Sequence, residues 1–135
     1  MRIVLDTNSL IQCIPPKSCY HDVWTSIICG TNTLCVTNEI LDEYAEILER
    51  LTGRNTARQV IDAIVESPFV EFFNPSYHFN LITVDPDDNK FVDCAIQANA
   101  HYIVTNDHHY DVLRLIDFPK VGVIKLVDFL LMIHK

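Results

Sequence analysis

The feature that most constrains the fold is an apolar run that ends in a carboxylate: Ile3-Val4-Leu5 leads straight into Asp6-Thr7-Asn8. A short apolar run closed by a turn signal reads as a strand buried on both faces, the habit of parallel sheets. An acid at the carboxyl end of such a strand stands where open α/β sheets bind their ligands. A carboxylate there is costly to leave dry and unpaired, so it must be hydrated, hydrogen-bonded or bound to metal.

The rest of the chain alternates between strand and helix signals. Residues 2–5 form the first predicted strand, and Pro15-Pro16 break the segment after it. Val23, Trp24, Ile27 and Ile28 give one helical face. Leu34-Cys35-Val36 is a second strand, running into Thr37-Asn38, a good helix N-cap pair. Ile40, Leu41, Tyr44, Ile47, Leu48 and Leu51 recur at helical spacing. A further helix carries Ala57, Val60, Ile61, Ile64 and Val65 and ends before Pro68. Phe69 to Phe73 reads as a third strand or extended segment. Asp85-Pro86-Asp87-Asp88 is a turn feeding a helix with Phe91, Val92, Ala95 and Ile96 on one face. Tyr102 to Thr105 is a buried strand; a short helix comes next with Val112, Leu113 and Ile116. Val121 to Ile124 is the last strand, and Asp128 is expected to cap a final helix through Ile133. This alternation implies βαβ units in one α/β domain over residues 1–135, with a mainly parallel sheet covered on both faces.

The 135 residues and their 49% apolar content suffice for one core of this kind. No apolar run approaches the roughly 18 residues of a membrane span, and strand signals directly after Met1-Arg2 leave no signal peptide to expect. Five scattered cysteines without a C-x-x-C pair suggest reduced thiols in the cytoplasm, not a disulfide framework or a zinc site. The formal net charge of -8 argues against a coat for DNA phosphates. It is compatible with a nucleic-acid enzyme whose carboxylates hold divalent metal, which reverses the local sign.

Four places put an acid where chemistry can happen. Asp6 ends the first strand, Glu43 lies one turn into the helix after the second, Asp87-Asp88 open a helix, and Asp107 comes just after the Tyr102–Thr105 strand. In a parallel sheet, strand carboxyl ends and the N-termini of the succeeding helices share one edge, so all four fall on it. Clustered carboxylates repel and some would take up protons. A divalent cation removes the conflict, and oxygen-only ligands favour Mg²⁺ or Mn²⁺ over zinc. Such an ion can orient a water, lower its pKa and stabilise charge on a phosphate. Taken singly, Glu43 reads as a solvated helix residue, one of Asp87 and Asp88 as a plain N-cap, and Asp107 as a turn former. Together they are far harder to dismiss.

Other candidates carry less. His108-His109 read as solvated loop histidines, since adjacent residues do not converge easily, and His21, His78, His101 and His134 lack ligand spacing. Ser9 has no hydrolase elbow, and no Gly-rich phosphate loop is present. Arg50, Arg54 and Arg58 recur at i, i+4, i+8 as a candidate phosphate-contacting stripe, interrupted by Gly53; a solvated face is the favoured reading. Lys90 is placed to reach a phosphate near Asp88.

Val4-Leu5-Asp6-Thr7-Asn8, Glu43 within Glu39-Ile40-Leu41-Asp42-Glu43-Tyr44, Asp87-Asp88-Asn89-Lys90-Phe91 and Ile103-Val104-Thr105-Asn106-Asp107 resemble, in order, the PIN domain (PilT N-terminus), and the resemblance covers essentially the whole chain. Asp85 to Asp107 is similar to bacterial PIN proteins described as toxin components of toxin-antitoxin systems. The resemblance implies a three-layer α/β/α sandwich and a Mg²⁺- or Mn²⁺-dependent ribonuclease. It maps the acidic site onto Asp6, Glu43, Asp88 and Asp107, with Asn8 and Thr105 supporting by hydrogen bonds and Asp87 as a one-residue alternative to Asp88. Asn106 stands where glycine is common in the family. Of the further acids, Asp93 and Asp111, the first lies about 140° around the helix from Asp88 and off its face.

The leading expectation is thus an endoribonuclease toxin restrained by a small antitoxin protein, acting on single-stranded or looped RNA. A degenerate PIN domain serving as an RNA-binding or assembly module is the alternative, opposed by the presence of all four acids. A haloacid-dehalogenase-type phosphohydrolase is less suited, because Asn8 stands where that family needs a second Asp. A homodimer is compatible with apolar residues near the C-terminus (Leu130, Leu131, Met132 and Ile133), which could equally complete the core.

Overall fold

The computed structural model describes residues 1–135. Five parallel strands form one sheet in the order β3-β2-β1-β4-β5. β1 (Arg2–Leu5) is central, flanked by β2 (Thr33–Val36) and β4 (Tyr102–Val104), with β3 (Glu71–Phe72) and β5 (Val123–Ile124) at the edges. Ile3, Val4 and Leu5 are fully buried, as a strand covered on both faces requires.

The connections are helical: α1 (Thr7–Cys13) and α2 (His21–Ile28) after β1, α3 (Asn38–Thr52) and α4 (Arg54–Glu66) after β2, α5 (Asn89–Ala98) before β4, and α6 (Leu126–Ile133) after β5. α5 lies against β1, β2 and β4, α3 against α1 and α4, and α2 against α6. The result is the expected three-layer α/β/α sandwich. Its buried apolar residues form one continuous cluster.

Several local expectations need correction. The segment that Pro15-Pro16 break, as expected, is a helix over residues 7–13 that starts at once behind Asp6, which was not foreseen. The short helix expected after β4 is present as a run of 3₁₀ helix, His108–Leu115, which stops one residue before Ile116. The third and fifth strands shrink to two residues each, because each pairs on one side only. Asp128 does not cap α6; it lies in the first turn, and Lys125 occupies the cap without a side-chain bond. The free N–H of Leu126 is met instead by Asn106 Oδ1 at 3.1 Å. Asn106 thus ties the end of β4 to the start of α6.

The arginine stripe does not lie on one helix. Gly53, with φ 92° and ψ 166°, ends α3 and begins α4. A positive φ of this size favours glycine. Arg50 therefore belongs to α3, and Arg54 and Arg58 to α4; Arg54 sits 3.6 Å from Glu49 on the surface. Near the C-terminus, Leu130 and Ile133 pack against the core while Leu131 is exposed. All five thiols are free. Burial pushes Cys13 and Cys94 up to about 12, which leaves them inert as nucleophiles. No helix is long and apolar enough to cross a membrane.

Candidate metal centre

The pairing of β1 with β4 builds the deepest part of the site. Leu5 is level with Val104 in the ladder. The next residue on each strand, Asp6 and Thr105, therefore emerge side by side at the carboxyl edge. Asp6 is almost fully buried. Its Oδ1 accepts the Ser9 N–H at 2.8 Å, capping α1, and its Oδ2 accepts the Thr105 hydroxyl. The same hydroxyl oxygen accepts the Asp107 N–H at 3.0 Å, so Thr105 links two of the expected acids. Burial raises the Asp6 carboxyl above its ordinary range; the hydrogen bonds oppose this, and the Asp107 charge adds to it.

The second strand delivers Glu43. Thr37 caps α3 through its hydroxyl, which accepts the Ile40 N–H at 3.2 Å. One turn on, the buried Tyr44 donates its hydroxyl to Leu5 O at 2.5 Å, locking α3 onto the end of β1. Glu43, beside it in sequence, then meets the Thr7 hydroxyl through Oε2 and the Lys90 ammonium through Oε1, the latter at 2.8 Å. Lys90, expected from the sequence to reach a phosphate near Asp88, is instead paired with an acid of the site. Asn8 lines the groove, but the hydroxyl that supports an acid on this side is that of Thr7.

The third contribution comes from the turn before α5. Asp85 Oδ1 accepts the Asp87 N–H at 3.2 Å and caps the 3₁₀ turn Pro86–Asp88. Asp88 occupies the N-cap position of α5, as one reading of the pair had it, but makes no capping bond through its side chain. Asp88 Oδ2 faces His109 Nδ1 at 3.3 Å. Burial, with the nearby charges of Asp85 and Asp107, raises the Asp88 carboxyl to about 6; the His109 contact opposes the shift.

Asp6, Glu43, Asp88 and Asp107 line one groove of about 410 Å³ at the carboxyl edge of the sheet, together with Asp85 and Asp87. Glu46 adds a seventh carboxylate, and Arg50 is the one cation in the lining. Within the groove region, ligand atoms of Asp85, Asp88 and His109 all lie within 4.8 Å of one another. Asp85 and His109 were not among the residues expected from sequence. His109 converges because its own N–H is held by Asp107 Oδ1 at 2.8 Å, which turns the ring back to Asp88, whereas His108 points away to Asp111 at 3.3 Å. Asp93 is buried apart from the groove, bound to His78 and the Phe79 N–H.

The donor set is carboxylate oxygen with one imidazole, and two of the carboxyls are held above their ordinary range. Such a set fits a hard divalent cation, whose charge would relieve both shifts.

The PIN-domain family model matches residues 2–109. This chain belongs to the PIN-domain family. Its fold is similar to those of several solved PIN-type structures. DNA-bound VapBC from Salmonella typhimurium aligns over 93% of this chain and 98% of that chain, with a TM-score of 0.65 and 17% identity. VapBC2 from Rickettsia felis, bound to a DNA fragment from the promoter, covers the same shares at TM-score 0.63 and 17% identity. VapC20 from Mycobacterium tuberculosis, a sarcin-ricin loop cleaving toxin, aligns over 88% of this chain and 98% of that chain at TM-score 0.58 and 14% identity. At such identities the likeness is one of fold. No curated protein sequence matches this PIN-domain chain.

Proposed function

We propose that this PIN-domain protein is a Mg²⁺- or Mn²⁺-dependent endoribonuclease, acting as the toxin of a cytoplasmic toxin-antitoxin pair. The observation that carries the reading is the convergence of seven carboxylates on one groove, opposed in its lining by Arg50 alone. Nothing apolar or anionic can be the natural content of such a groove; a divalent cation can, and with it a phosphodiester. The solved VapBC complexes and the toxin VapC20 share the fold, which supports the antitoxin partner and the RNA substrate.

Asp6, Glu43, Asp88 and Asp107 would hold the ion, with Asp85 and His109 beside Asp88. When bound, the ion supplies positive charge to the phosphate and lowers the pKa of a coordinated water. The chain's own residues do the positioning. Thr105 fixes Asp6 against Asp107, and Thr7 and Lys90 hold both oxygens of Glu43. Arg50, at the rim of the groove, is the group placed to meet an adjacent phosphate.

The test is cleavage of end-labelled single-stranded RNA, looped RNA and duplex DNA with Mg²⁺, Mn²⁺ or EDTA. Cutting of RNA that needs metal and is lost in Asp6→Asn is expected. Metal-independent cutting, or equal cutting of duplex DNA, overturns the reading. Growth arrest on expression, relieved by co-expressing a small DNA-binding protein encoded next to this chain, tests the toxin role separately.

A further inference from the structure

Beside the acidic groove lies a second cavity of about 220 Å³ with no hydrophobic residue in its lining. The two share Asp87, and Lys90 joins them: it lines the second cavity while its ammonium rests on Glu43 in the first. One wall of this cavity comes from the irregular segment between β3 and the Pro86–Asp88 turn. An irregular segment has no ladder to hold it, and here side chains of α5 supply the ties. Asn89 accepts the Ile82 N–H at 2.9 Å and donates to Ile82 O at 2.8 Å. One turn later, Asp93 accepts the Phe79 N–H at 3.1 Å and contacts His78 Nδ1 at 3.1 Å. Both side chains are buried, 8% and 4% exposed, so two costly polar burials are spent on the shape of this wall. The wall presents Asn74 and Asn80 to the cavity, where they are joined by Asn38 from the start of α3. Unlike that of Asn89, these three carboxamides have no partner within the protein.

We infer that this cavity is a subsite for one unpaired nucleobase of the RNA, next to the phosphate in the acidic groove, and that it favours bases with an exocyclic amino group. The inference rests on the nuclease reading above. Free carboxamides offer a donor and an acceptor side by side, which is what the edge of a base requires. Proteins read RNA chiefly through splayed single-stranded bases, with flat side chains as stacking partners. His78, exposed over 62% of its side chain and anchored by Asp93, offers such a face. The charges in the lining are Glu39, Asp87 and Asp93 against a Lys90 already paired, so a phosphate is repelled. The exocyclic amino groups of adenine, cytosine and guanine can donate to Glu39 or Asp87, whereas the one donor on uracil's edge, N3–H, is flanked by two carbonyls that those acids repel.

Two measurements test this. In the first, wild type and the Glu39→Gln/Asn80→Ala double variant cut a randomised single-stranded RNA pool, and the bases flanking each cut are counted. Wild type should disfavour uracil at one flanking position by about tenfold, within the range of a good base contact, and the double variant should lose most of that bias. In the second, the Asp6→Asn variant, which leaves the second cavity untouched, is titrated with oligo-A, oligo-C and oligo-U. The carboxamide NMR signals of Asn38, Asn74 and Asn80 should move with the first two and not the third. If RNA is never cut yet these signals discriminate among the oligonucleotides, the nuclease reading falls and the subsite stands. A bias that survives in the double variant, or signals that respond equally to all three or to none, overturns the subsite whatever the cleavage assay gives.

Discussion

The ammonium of Lys90, in the first turn of α5, lies 2.8 Å from Glu43 Oε1 on α3, so a built-in cation neutralises one acid of the groove. Both side chains are largely sheltered, at 15% and 27% exposure, and the pair ties α5 to α3. Lys90→Met should lower the stability of metal-free protein by about 1 kcal/mol. It should also tighten Mg²⁺ binding severalfold, since a positive charge near the ion is removed. Thermal melts and calorimetric titration check both. Weaker metal binding in the variant would mean that Lys90 orders Glu43 for the ion instead of competing with it.

Asp6→Asn should abolish metal-dependent cleavage while leaving the fold intact or more stable in metal-free buffer. The asparagine oxygen can still accept the Ser9 N–H, and a buried charge disfavoured by its surroundings is gone. RNase assays and melts in EDTA report the two effects. Unchanged cleavage at saturating Mg²⁺ removes Asp6 from the site.

The raised Asp88 carboxyl gives metal-free protein a pH dependence. The folded chain keeps its proton up to about 6, while the unfolded chain loses it near 3.8, so between these values the folded state binds more protons. Its stability contribution therefore falls as pH rises through that window, by about 1 kcal/mol once solvent screening is allowed for. Asp88→Asn should remove this loss and leave the metal-free protein more stable at pH 7. Saturating Mg²⁺ should reverse the trend in wild type only. Melts from pH 4 to 8, with and without Mg²⁺, check this, and a wild type whose stability rises from pH 4 to 6 more steeply than the variant's contradicts it.

The three arginines should behave differently from one another. Arg50 lines the groove, whereas Arg54 and Arg58 lie beyond the Gly53 break, on α4. Arg50→Ala should weaken RNA binding and shallow its salt dependence by about one unit of slope. Arg58→Ala should leave both unchanged. Equal effects at the two positions would restore the continuous stripe that the residue spacing suggested.

The central strands and the main acids are legible in the sequence because each rests on a strong local pattern. Ile3 to Leu5, Ile103 and Val104 are fully buried, and α3 has a long amphipathic period. Topology then brings Asp6, Glu43, Asp88 and Asp107 to one edge with no further information. The features that escape are set by single hydrogen bonds. His109 joins Asp88 only because Asp107 holds its N–H, and Thr7 reaches Glu43 only through the seating of α3 by Tyr44. Lys90 reads as a free phosphate contact until Glu43 is seen within its reach. The arginine spacing survives on paper, but one glycine with positive φ redirects the chain between the first and second of them.

The two-residue strands β3 and β5 form the rims of the sheet. Rims this short expose almost no unpaired backbone for an incoming strand to recognise. Sheet continuation from one molecule to the next is thereby discouraged, which keeps β1 and β4, whose carboxyl ends lead into Asp6 and Thr105, in the interior of each copy.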